Sequence, residues 1–69
     1  MVTQECIQNG VELVDIELRT KPDNQIRFYI KGTTTPAMLH IRVRNMCSFV
    51  STEAVLHEDT LCTAFVCHF

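Results

Sequence analysis

The sequence predicts a small β-rich domain, with an antiparallel sheet of about three to five strands and one or two short helices, in an α+β or all-β fold. Apolar and polar residues alternate in segments 26–31 and 39–44, as they do on strands whose side chains point alternately to opposite faces. Turn-forming residues fill segment 20–24, and β-formers fill segment 60–69.

The chain has 69 residues, which predicts a single domain spanning residues 1–69. Domains this small bury a limited fraction of their surface and usually need a disulfide, a metal or a partner subunit for stability. No apolar run approaches the ~18 residues of a membrane-spanning helix, so we expect no membrane span.

The N-terminal third predicts one short element and one strand. Segment 3–10 fits either a short helix ended by Asn9-Gly10 or a first strand. Segment 11–18 alternates as a strand, but its first apolar residues are out of phase with the later ones, which predicts a β-bulge. The turn at 20–24 then returns the chain, so that Glu17 faces Arg27 or Tyr29, and Asp15 faces Tyr29 or Lys31.

Segments 26–31 and 39–44 are predicted to form a central hairpin with one apolar and one basic face. The apolar positions are Ile26, Phe28, Ile30, Leu39, Ile41 and Val43. The opposite positions form the predicted basic face, namely Arg27, Tyr29, Lys31, His40, Arg42 and Arg44. Residues 24–52 contain four bases and no acid, whereas both flanking segments carry more acids than bases.

The C-terminal third is less uniform. A short strand is predicted over 47–50 and a short helix over 51–59, which has a capping residue and good helix formers. Segment 60–69 reads as a strand that is apolar on both faces, and therefore central or covered by a partner. A single helix continuing from Thr52 is the alternative.

Four cysteines, Cys6, Cys47, Cys62 and Cys67, permit up to two disulfides. On a strand, Cys62 and Cys67 point to opposite faces and cannot bond to each other easily. Any disulfide would then join them to Cys6 or Cys47. Free buried thiols are the equally open alternative, and the spacing indicates a zinc site only weakly.

Catalysis and cofactors are not predicted. Cys47, His57 and Asp59 are residue types that nucleophilic catalysis uses, but no motif places them together. Neither a glycine-rich phosphate loop nor a paired-carboxylate pattern occurs. We therefore expect no catalytic residue, no cofactor and no metal.

The first hairpin, with Val11-Glu12-Leu13-Val14-Asp15-Ile16-Glu17-Leu18 followed by Ile26-Arg27-Phe28-Tyr29-Ile30, resembles the first hairpin of the N-terminal domain of the ribosome maturation factor family. The resemblance lies within residues 9–30. It implies ribosome binding as a minor alternative function.

The predicted function is that of a non-enzymatic protein-interaction module, an accessory or inhibitory factor that forms a homodimer or binds a larger protein. The expected apolar interface consists of Leu61, Phe65, Val66 and Phe69. One alternative is binding of RNA or single-stranded nucleic acid by the predicted basic face. The other is a disulfide-stapled extracellular domain.

Overall fold

The computed structural model describes residues 2–69. In chain order its elements are α1 (Val2–Gln8), β1 (Leu13–Arg19), β2 (Gln25–Lys31), α2 (Ala37–Met46), β3 (Phe49–His57) and β4 (Thr60–His68). The strands form one antiparallel sheet in the order β1-β2-β4-β3. This confirms the predicted fold class, a small antiparallel sheet with two short helices.

The helix α1 resolves the choice left open for segment 3–10. Its end is stabilised by Asn9, whose backbone N–H and side-chain amide both donate to the Glu5 carbonyl. Gly10 follows with φ 69°, a left-handed conformation that glycine adopts without a steric penalty. Val2 and Cys6, four residues apart, place their side chains on the buried side of the helix.

The first hairpin follows the prediction closely. Glu17 pairs with Arg27 and Asp15 with Tyr29, and the pairing register shifts between Leu13 and Asp15. The shift confirms the predicted bulge, because one extra residue in β1 lets the apolar residues before and after it change phase.

The predicted strand 39–44 is wrong, because these residues lie within α2. Leu39 and Val43 are both fully buried, which is the i, i+4 spacing of one helix face. Ile41, which a strand would place beside them, is 41% exposed. In so short a segment the apolar residues fit both the strand period of two and the helix spacing of four. The position next to β2, which the predicted hairpin gave to 39–44, is occupied by β4.

The predicted helix 51–59 is also wrong, as is a helix continuing from Thr52. Residues 49–57 form β3, which pairs with β4 along its whole length. The two strands are joined by Glu58 and Asp59, with φ of 49° and 63°, as a two-residue hairpin turn requires. Segment 60–69 is confirmed as a strand, and it is central because β2 and β3 pair with its two edges.

The two faces of the sheet are covered in different ways. Both helices pack on one face, the helix face, where their buried residues meet β2 and β4 in a common core. That core consists of Val2, Cys6, Ile30, Leu39, Val43 and Phe65. The opposite face, here called the open face, has a smaller buried cluster of Tyr29, Cys62 and Ala64, to which the strands alone contribute.

One disulfide joins Cys47, which follows α2, to Cys67 on β4. Its Cα atoms are 5.5 Å apart, a usual separation for a disulfide. Cys6 and Cys62 are free and buried. Burial raises the pKa of both thiols, so both stay protonated and unreactive near neutral pH.

Thiol titration tests this cysteine arrangement. We expect two reactive thiols in denaturant without reductant and four with reductant, because only Cys6 and Cys62 are free. The paired substitution Cys47→Ser/Cys67→Ser should lower the free energy of unfolding by about 3 kcal/mol, the value for a loop of roughly this length. Four reactive thiols without reductant, or an unchanged unfolding midpoint, would contradict the assignment.

Candidate functional site on the open sheet face

Small side chains occupy the centre of the open face. Cys62, Ala64 and Val66 of β4 lie on this face and are at most 4% exposed, although both helices pack on the other face. Larger side chains from β1, β2 and β3 cross above them and exclude water. The polar groups of these crossing side chains form the candidate site.

Tyr29 of β2 and His57 of β3 meet above β4. Their rings stack with centroids 3.8 Å apart and an interplanar angle of 9°. The Tyr29 hydroxyl donates to Glu17 Oε1 at 3.2 Å, so the polar end of this buried ring is satisfied. The stack fixes the plane of the imidazole over the sheet.

The imidazole also contacts the far edge of the sheet. His57 Nε2 lies 2.9 Å from Asp15 Oδ2 on β1, while the other carboxylate oxygen accepts the Ile16 backbone N–H at 2.8 Å. These two hydrogen bonds, chiefly the one with His57, lower the pKa of Asp15. Glu58 Oε1 lies 4.0 Å from the same imidazole nitrogen. Asp15, His57 and Glu58 are called the His57 cluster below.

A second bridge crosses β4 beside this cluster. Arg27 Nη1 on β2 donates to Glu53 Oε1 on β3 at 2.9 Å, and Arg27 Nε donates to Gln25 Oε1 at 3.0 Å. An ion pair at a surface contributes little by itself. Arg27 lies opposite the buried Val66, and Glu53 lies opposite the buried Ala64.

The structure does not form the predicted basic face. Arg27, Tyr29 and Lys31 belong to β2, whereas His40, Arg42 and Arg44 belong to α2. His40 contacts Thr35 Oγ1 at 2.6 Å and the Phe65 ring edge-on at 4.8 Å, which places it on the helix face. The prediction is wrong because residues 39–44 form a helix. His40, Arg42 and Arg44 therefore belong to the helix layer on the other side of the sheet. Arg27 and Arg42 also have acidic neighbours, Glu53 and Glu5.

The predicted apolar interface is divided in the same way. Phe65 is fully buried and Val66 is 4% exposed, because β4 is flanked on both edges and covered on both faces. These two residues are core, not surface. Leu61 and Phe69 remain exposed, at 54% and 64%.

The residues considered for nucleophilic chemistry also separate. Cys47 is in the disulfide, and His57 pairs with Asp15, not with Asp59. Sequence reasoning placed Asp15 next to Tyr29 but missed His57, which is 42 residues away along the chain. Only the strand order brings the two together, and no local sequence signal encodes that order. The structure shows no pocket in the described part of the chain.

No family model, curated protein or solved structure matches this chain. The resemblance of the first hairpin to ribosome maturation factors therefore stays an expectation from the sequence. Within residues 2–69, neither helix has the length and apolar character needed to cross a membrane.

The Tyr29 ring should contribute to stability through burial more than through its hydroxyl. Tyr29→Ala removes a ring that is 3% exposed and should lower the free energy of unfolding by about 3–5 kcal/mol. Tyr29→Phe keeps the ring and loses the hydrogen bond to the Glu17 carboxylate, and should cost less, about 1.5–3 kcal/mol. Phe69→Ala, at a ring that is 64% exposed, is the control in denaturant unfolding. Equal losses for Tyr29→Ala and Phe69→Ala would show that the stack contributes nothing.

The Asp15 interaction predicts a pH dependence. Its pKa in the folded protein lies below the ordinary value of 3.8, so the stabilisation is fully present above that value and is lost as the pH falls through the lowered pKa. Asp15→Asn does not titrate and should flatten the acid side of the stability profile, where the pH falls through and below 3.8. Unfolding midpoints of both proteins, measured across this range, provide the test. Parallel profiles would show that Asp15 does not contribute.

Proposed function

We propose that the protein is a non-enzymatic interaction module that binds a second copy of itself by pairing of the edge strand β3. The sequence predicted pairing through β4, but both edges of β4 are already paired, with β2 and with β3. The two free edges of the sheet are β1 and β3. A free edge has unpaired backbone N–H and C=O groups that another strand can bind.

The difference between the two edges supports β3. In β1, three of seven residues are charged, a bulge interrupts the strand, and the Ile16 N–H already donates a hydrogen bond to the Asp15 carboxylate. Charges and bulges are the features by which proteins protect an edge from pairing. In β3, nine residues carry one full charge, on Glu53, which already contacts Arg27.

The sequence of β3 is self-complementary in one antiparallel register. Placing Thr52 opposite Thr52 of the second copy brings Phe49 opposite Val55 and Ser51 opposite Glu53. Aromatic with β-branched pairs and Thr–Thr pairs are favourable across strands, contributing roughly 0.2–1 kcal/mol each. Shifting the register so that Glu53 faces its own copy places like charges opposite each other, which is unfavourable.

Exposed apolar residues lie at both ends of β3. Leu56 is 71% exposed and pairs with Leu61, which is 54% exposed. At the other end, Phe49 and Phe69 are each 64% exposed. Leu61 and Phe69, the surviving members of the predicted apolar interface, lie at one end of β4 and just beyond the other. Pairing of β3 would remove apolar surface of Phe49 and Leu56 from water.

The structure supports the two alternative functions, nucleic-acid binding and a disulfide-stapled extracellular domain, to different extents. Nucleic-acid binding loses its main support, because the basic residues lie on two sides of the sheet and two of them contact acids. An extracellular role is compatible with an interaction module, and the Cys47–Cys67 disulfide supports an oxidising compartment.

A pair of matched edge variants tests the proposal. Ile16, Phe28, Phe65 and Thr52 form one row across the sheet, so Ile16 and Thr52 are equivalent positions on its two edges. Thr52→Lys places two like charges opposite each other in the proposed dimer, and should raise the dissociation constant by about tenfold or more. Ile16→Lys adds the same charge at the other edge and should leave the dimer unchanged.

Light scattering and native mass spectrometry over a concentration series provide the measurement, with circular dichroism to confirm that both variants fold. A wild-type protein that stays monomeric at the highest concentration would contradict the proposal. So would a dimer that dissociates with Ile16→Lys and persists with Thr52→Lys. If the protein is a monomer that binds a different protein through β3, the proposed binding edge is correct but the proposed partner, a second copy, is wrong.

A further inference from the structure

We infer that the His57 cluster is a binding site for a divalent transition-metal ion of the zinc type, with Asp15, His57 and Glu58 as its protein ligands. The inference goes beyond the proposed pairing of β3 and does not depend on it. Zinc accepts both imidazole nitrogen and carboxylate oxygen, and three protein ligands with water in the fourth position is the arrangement of its open sites.

The distances fit a tetrahedral ion after a small adjustment. One ligand atom from each residue lies within 4.8 Å of the other two. His57 Nε2 is 2.9 Å from Asp15 Oδ2 and 4.0 Å from Glu58 Oε1. Zinc bonds of about 2.0–2.1 Å in a tetrahedron separate ligand atoms by roughly 3.3 Å. The observed values lie on both sides of this spacing, and the Glu58 side chain, which is 73% exposed, is free to approach.

Two of the three ligands are already oriented by neighbouring groups. The Tyr29 ring fixes the plane of the imidazole, whose side chain is only 18% exposed. The Ile16 N–H holds one oxygen of Asp15, which leaves the other oxygen directed at His57. Hydrogen bonds and packing that orient the residues binding a metal in this way increase metal affinity.

The ligand types and the local charge select the kind of ion. The cluster carries two carboxylates, and its imidazole nitrogen favours zinc, copper or nickel over magnesium and calcium, which prefer six or more oxygens. Arg19 and Arg27, the arginines of β1 and β2, each contact a different carboxylate, Glu17 and Glu53. Among residues 2–69, Lys31 of β2 forms no ion pair with the cluster. The negative charge of the cluster is therefore available to a cation.

The chain contains its own comparison site. His68 Nδ1 lies 3.4 Å from Asp23 Oδ2, so a second histidine–aspartate pair exists. In residues 2–69 no third ligand group joins it, and the His57 cluster is the one group of three that forms. A pair without the third ligand should bind zinc more weakly.

Isothermal titration of the folded, disulfide-bonded chain with zinc chloride tests the inference, with magnesium chloride as the comparison ion. We expect one zinc ion per chain and no heat of binding with magnesium. Glu58→Gln should weaken zinc binding by about tenfold or more. Asp59→Asn removes the neighbouring charge of the same turn without touching the cluster, and should change the affinity by less than about twofold.

Histidine variants separate this site from surface histidine binding. His57→Gln should abolish binding and His68→Gln should leave it intact, with circular dichroism confirming that both proteins fold. Absence of binding at millimolar zinc would overturn the inference. Equal effects of Glu58→Gln and Asp59→Asn, or of the two histidine substitutions, would also overturn it, because binding would then follow net charge or any exposed imidazole.

Discussion

The whole structure depends on β4 being paired on both edges and covered on both faces. Six consecutive residues, Cys62 to Cys67, are buried, which in a chain of 69 residues is a large part of the core. The helix face of this strand carries the large Phe65 ring beneath α1 and α2. The open face carries small residues, which leave room for side chains from neighbouring strands to lie flat across them.

The contact between Asp15 and His57 implies that the sheet bends. β1 and β3 are three strand spacings apart, which is about 14 Å in a flat sheet. A short aspartate side chain cannot bridge that distance to within 2.9 Å of an imidazole unless the sheet curves toward the open face. The bulge between Leu13 and Asp15 supplies local bending and twist at the residue that makes the contact. The bulge therefore has a structural consequence well beyond its own hairpin.

The sequence predicted those parts of the fold that local chemistry determines. The turn at 20–24 and the alternation around it were sufficient for the first hairpin, its register and its bulge. Segment 39–44 was predicted as a strand and is helical, and segment 51–59 was predicted as a helix and lies mostly in strand β3. Leu39 and Val43 satisfy both periodicities, and helix formers in 51–59 are overridden by pairing of β3 along β4. The His57 cluster joins residues on opposite edges of the sheet, so it could be recognised only once the strand order was known.

The small size of the chain explains why its stabilising contacts are distributed as they are. Two short helices cannot cover both faces of a four-stranded sheet, and they pack on one. On that face the Cys47–Cys67 disulfide joins the end of α2 to the central strand. A disulfide stabilises a fold mainly by restricting the unfolded chain. On the open face no helix is available, and buried Cys62 is shielded by the Tyr29–His57 stack and the neighbouring side chains. Of the side chains on this face, Tyr29 and Asp15 contact His57, whereas Arg27 and Glu53 pair with each other. The Tyr29 ring therefore serves both stability and the candidate metal site, because the ring that packs over Cys62 also orients the His57 imidazole.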